Sequence, residues 1–210
     1  MSLLVLHDFG PGHHGQPWAD ALGAAPMSVL APDLPGHGGS PPPIGGNHDL
    51  MDPAFQIMRL AAGHPDRYDP PDGFAAAVGV GVHGWSAQSL VLAGRARRLV
   101  LVDGLGGPFL DAADRMQVRH DHIRRLAEQQ PISAATRLDI GLFGGDDLEH
   151  AQEAAAATAV PTLLIHTAES TIDRPTFEGL ADRFADATVR EASDRTPAAV
   201  APIVLDWLAG

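Results

Sequence analysis

Short apolar runs bounded by glycine and proline recur along the chain: Leu3–His7, Ser28–Ala31, Ala75–Val82, Leu99–Val102, Thr162–His166 and Thr188–Glu191. Most lack polar alternation, as strands buried on both faces do, and each predicts a strand. Stretches with helical spacing lie between them. Residues 111–129 place Met116, Ile123 and Ala127 on one face behind Asp111, which suits an N-cap. Residues 146–158, 175–185 and 198–209 read similarly, the last two opening near Pro175 and Pro197. Strand alternating with helix implies an α/β fold, a mostly parallel sheet of about six strands with helices on both faces. Such sheets bind ligands at the carboxyl ends of their strands.

The long Pro/Gly stretch 32–48, PDLPGHGGSPPPIGGNH, reads as a surface loop, because too little chain precedes it to make a separate domain. A single domain spanning 1–210 is expected. No internal repeat is evident, and AAAATA at 154–159 suits an alanine-rich helix.

Composition narrows the chemistry. The 210 residues include no cysteine, which removes disulfides, thiolate metal sites and a Cys nucleophile. All 14 basic residues are arginine, so Schiff-base chemistry and a P-loop lysine are excluded as well. Covalent catalysis would fall to Ser, Thr or Asp. The net charge of -12 is spread along the chain and argues against nucleic acid or an anionic membrane as partner. No apolar run approaches the roughly 20 residues that span a bilayer, and residues 1–6 lack a basic start, so a cytoplasmic location is expected.

One segment, AAAVGVGVHGWSAQ, supports two functions. Gly79, Gly81 and Gly84 spell G-x-G-x-x-G, with Asp103 ending the next strand where a ribose-binding acid would sit. Alternatively, Gly84-Trp85-Ser86-Ala87-Gln88 is a nucleophile elbow, the strand-to-helix turn that lifts a serine to the sheet edge. Position favours the second, since Gly79 and Gly81 alternate with valines inside the predicted strand and the turn is expected at Gly84–Trp85.

The ordered segments LLVLHDFGPGHHGQPWADAL, VLAPDLPGHGGS, GVHGWSAQ, RRLVLVD, VPTLLIHTAES and VAPIVLDWL resemble the α/β-hydrolase family from its third strand onward, over most of the chain. The resemblance implies Ser86 as nucleophile, an oxyanion hole from the backbone N–H groups of Phe9 and Ala87, and a short helical lid over 108–158. It places the acid on Ser170, with Glu169 and Asp173 out of register and Asp103 as the strand-end alternative. The general base should lie in the loop before the last helix, but that loop reads ASDRTP, and Asp194 or Arg195 stands in the place of the histidine. His7-Asp8 replaces the family's His-Gly, which makes His7 a packing residue and sets a carboxylate beside the oxyanion hole. Gln88 fills a position that is normally small. His13, His14 and His120 are the other imidazoles considered as base. His120 and His122, two apart on a helix, make no convincing metal pair, and neither metal nor cofactor is expected. The expected function is an esterase-like serine hydrolase acting through Ser86 on a small molecule. The alternatives are a catalytically silent member that binds a small ligand or partner, and a dinucleotide-binding protein.

Overall fold

Along β1 (Ser2–Leu6), Leu3 and Val5 join one buried cluster and Leu4 and Leu6 another. The same division separates Val100 and Val102 from Leu99 and Leu101 in β5 (Leu99–Val102), and Leu163 and Ile165 from Leu164 in β7 (Thr162–Thr167). This period of two, with no polar face, is what a strand covered on both sides requires.

The structure, a computed structural model, describes residues 1–8, 12–34, 37–40, 47–48, 73–103, 137–138, 156–170 and 173–210. β2 (Ser28–Leu30), β4 (Phe74–Val80) and β8 (Ala187–Ala192) complete a six-stranded sheet of order β2-β1-β4-β5-β7-β8, parallel throughout. The two-residue strands β3 (Asn47–His48) and β6 (Arg137–Leu138) pair separately. The expected α/β architecture is present, and the strand boundaries differ chiefly at β4. That strand stops at Val80 instead of Val82, and a 3-10 turn, Gly81–His83, leads into the next helix.

Helix α1 (Gln16–Ala21) and helix α4 (Pro197–Ala209) cover one face, burying Trp18, Val200, Ala201 and Val204. Helix α2 (Gly84–Leu92) and helix α3 (Arg174–Ala181) cover the other with Ala87, Leu90, Val91 and Phe177. Burying each large apolar side chain contributes roughly 1.5–3 kcal/mol, so packing on the sheet sustains these short helices better than their intrinsic propensity. Among the described residues no helix is long and apolar enough to cross a membrane. The expected helix over 111–129, and the 108–158 lid apart from 137–138 and 156–158, lie outside the described residues.

From β1 the chain winds one way to β2 and then returns to the other side of β1 as β4. The gap between the carboxyl ends of β1 and β4 is therefore a topological switch point, where open sheets of this kind form a crevice.

Candidate functional site

Residues that follow the strands converge at this edge. Asp8 follows β1, Asp103 closes β5, Glu169 lies beyond β7, and Arg195 lies between β8 and α4. The Arg195 guanidinium bridges the two aspartates, with Nη1 donating to Asp8 Oδ2 at 3.0 Å and Nε to Asp103 Oδ2 at 2.9 Å. Its Nη2 donates to the Glu169 carbonyl at 3.0 Å, and its backbone N–H faces Glu169 Oε2 at 3.4 Å. Both aspartates are buried, while the Arg195 side chain keeps 18% of its surface exposed. Burial opposes the charge on Arg195, but attraction to Asp8 and then Asp103 outweighs it and raises its pKa.

Asp103 is fully engaged. Its Oδ1 accepts the Thr167 N–H at 2.9 Å, and its Oδ2 accepts from the Thr167 hydroxyl as well as from Arg195. Its φ of 46 lies in the left-handed region, which aspartate tolerates better than most residues. The strand-end acid thus orients a guanidinium. Ser170, where the resemblance places the acid, closes a turn by donating its N–H to the Thr167 carbonyl.

The turn after β4 is built around two glycines. A Cβ on Gly79 would lie 2.5 Å from the His83 carbonyl oxygen and 2.6 Å from Gly84 Cα, so strand and helix approach here as closely as a nucleophile elbow demands. Gly81 has φ of 56, the left-handed conformation at the sharp point of the turn. A Cβ there would fall 2.0 Å from Asp8 Oδ1. The sharp turn therefore sits at Gly81, not at Gly84–Trp85 as the sequence suggested.

Ser86 consequently lies inside α2, as its third residue, fully buried. Ala87, the other residue expected to act here, lies deeper still. Helical i→i−4 geometry gives its N–H to the His83 carbonyl, which withdraws that N–H from an oxyanion hole. Phe9 lies outside the described residues, as does His120. Gln88 does not point outward. It is fully buried, with Nε2 donating to Thr158 Oγ1 at 3.1 Å and Oε1 without a partner among the described residues. Gly79 lies within β4 and the Asp8 carboxylate crowds Gly81, so a negative charge sits where the dinucleotide reading requires a pyrophosphate to approach.

Behind the edge lie three buried imidazoles that sequence reasoning did not connect. His7 Nε2 accepts the Leu34 N–H at 3.1 Å, which leaves Nδ1 to carry the proton and donate to the Asp8 carbonyl at 2.9 Å. His83 Nδ1 donates to the His7 carbonyl at 2.5 Å and pins the start of α2 to the end of β1. The His37 ring packs edge-on against His7 at 4.9 Å. His13 is exposed and His14 half-buried on the loop before α1. Among the described residues no group of His, Asp and Glu is arranged to hold a metal ion. Asp33 of the DLPGHGGS segment accepts the N–H groups of Gly15 and Gly39, each at 2.9 Å. Burial works against the Asp33 charge, but those two donors outweigh it and hold its pKa below the ordinary value.

Burial pushes the His7 pKa down to about 3, with smaller repulsion from His37 and His13 and a partial offset from its bond to the Asp8 backbone. An unfolded histidine binds a proton near pH 6.5, so between about pH 6.5 and 3 the unfolded chain holds the extra proton. Stability from this site is complete above pH 6.5 and falls as pH drops, with a slope of at most about 1.4 kcal/mol per pH unit. His7→Gln keeps an acceptor for Leu34 and removes the titration. Urea unfolding at pH 7.0, 5.5 and 4.5 should show a shallower acid loss for this variant than for the wild type.

No family model and no curated protein matches the sequence. Solved structures do match the fold. A monoacylglycerol lipase from Paleococcus ferrophilus superposes with a TM-score of 0.66 at 15% identity, over 99% of this chain and 93% of the lipase. An enol-lactonase from Burkholderia xenovorans LB400 gives 0.63 at 17% identity, over 100% of this chain and 91% of the lactonase. An esterase from Thermogutta terrifontis gives 0.63 at 15% identity, over 99% of this chain and 89% of the esterase. The order and parallel pairing of the six strands, the elbow turn after β4 and these likenesses together establish that the chain has the α/β-hydrolase fold.

Proposed function

We propose that this chain uses the α/β-hydrolase fold to bind a small molecule at the carboxyl edge of the sheet, without serine-based hydrolysis. The observation that carries this reading is the Arg195 guanidinium bridging Asp8 and Asp103, in the loop where the fold's general base belongs. A base must accept the nucleophile's proton, and a guanidinium has no acceptor and stays protonated at any accessible pH. Gly81 at the sharp turn offers no nucleophile. The Asp8 carboxylate beside it opposes the negative charge that acyl transfer develops.

Ester cleavage through Ser86 is the competing reading, prompted by the lipase, esterase and lactonase that share the fold. The two part on a simple assay. Hydrolysis of p-nitrophenyl butyrate by the wild type should match that of Ser86→Ala and stay near the buffer rate. Turnover well above buffer that Ser86→Ala abolishes would overturn the proposal.

A further inference from the structure

The Arg195 guanidinium carries five N–H donors, of which Asp103, Asp8 and the Glu169 carbonyl take one each. Among the described residues the other two, one on Nη1 and one on Nη2, have no partner, and the side chain, anchored at three points, keeps part of its surface exposed. Donors on a guanidinium anchored in this way lose little conformational freedom when they take an acceptor, the main cost that weakens surface arginine contacts. Its electrostatic setting is unusual for an arginine site. Asp8 and Asp103 together exceed the guanidinium charge by one negative unit, and Glu169 adds to the excess. An anion approaching the two donors meets that excess, and a cation meets the donors themselves.

From this geometry we infer that Arg195 is a ligand-binding residue whose two remaining N–H groups grip an uncharged acceptor, the carbonyl oxygen of a neutral amide- or ketone-like molecule. The inference rests on the binding reading above and names the ligand class for that site. Charge, not size, sets the selectivity: the carboxylates that hold the guanidinium in place also screen it from anions.

Three probes of one shape and different charge test this: benzamide, benzoate and benzamidinium. The reporter is the Arg195 Nε–H cross-peak in spectra of the 15N-labelled protein, assigned by its disappearance in Arg195→Lys. Benzamide at millimolar concentration should move that cross-peak saturably, with benzoate and benzamidinium each about ten-fold weaker or worse. Benzoate or benzamidinium acting at equal or lower concentration overturns the inference, and so does an Arg195 signal that no probe moves. Either result leaves Ser86 unreactive and the binding reading intact, whereas Ser86-dependent ester turnover defeats the reading itself.

Discussion

Replacing Arg195 by methionine is expected to destabilise the fold by about 3–5 kcal/mol, the largest effect foreseen for any single change at this edge. Methionine fills similar volume, so lost packing contributes little. What remains are two buried carboxylates, Asp8 and Asp103, without the cation that bridges them. Desolvation makes breaking a buried ion pair far costlier than losing an exposed one, and here a single substitution breaks two. Urea unfolding monitored by circular dichroism measures the loss. Adding Asp8→Asn and Asp103→Asn to the Arg195→Met background should recover much of it, because the amides carry no charge to strand. Failure of that rescue would show that Arg195 acts through packing.

Gly81→Ser should be the second most damaging change, at on the order of 3 kcal/mol, and should bring no hydrolytic activity. Part of the cost is conformational, since a φ of 56 costs a side chain roughly 1–2 kcal/mol. The rest is steric. The new Cβ meets Asp8 Oδ1 at 2.0 Å, and Asp8 cannot swing aside without releasing Arg195. The same change in an Asp8→Gly background should cost less, with a coupling of about 1–3 kcal/mol in the double-mutant cycle. A coupling near zero would mean that the Asp8 carboxylate does not occupy the space beside Gly81.

These two predictions show why the sheet was legible in the sequence and its edge only partly so. Buried parallel strands need unbroken apolar runs, so β1, β5 and β7 announce themselves in LLVL, LVLV and TLLI. The histidine-free loop ASDRTP was equally plain, and Arg195 was one of two residues placed at the vacant position. Its partners were not readable, because Asp8 and Arg195 lie 187 residues apart and meet only when the sheet closes. The turn after β4 failed for a different reason. GWSAQ imitates an elbow in spelling, while the physical requirements of one, a close backbone approach and a positive φ, fall on Gly79 and Gly81. The signal was present: isolated glycines in a valine run mark a bend or a close contact more often than a regular strand. Asp103 follows β5 directly, as the run LVLVD predicts, but nothing in LVLVDG reveals that it orients Arg195 and bonds Thr167.

The central claim is that the serine in GWSAQ belongs to the body of a helix and that an arginine–aspartate bridge occupies the reaction centre. Treatment of the native protein with a fluorophosphonate, followed by intact-mass measurement and peptide mapping, tests it most directly. The mass should stay unchanged under conditions that fully label an active serine hydrolase. A stoichiometric adduct mapped to Ser86 would contradict it.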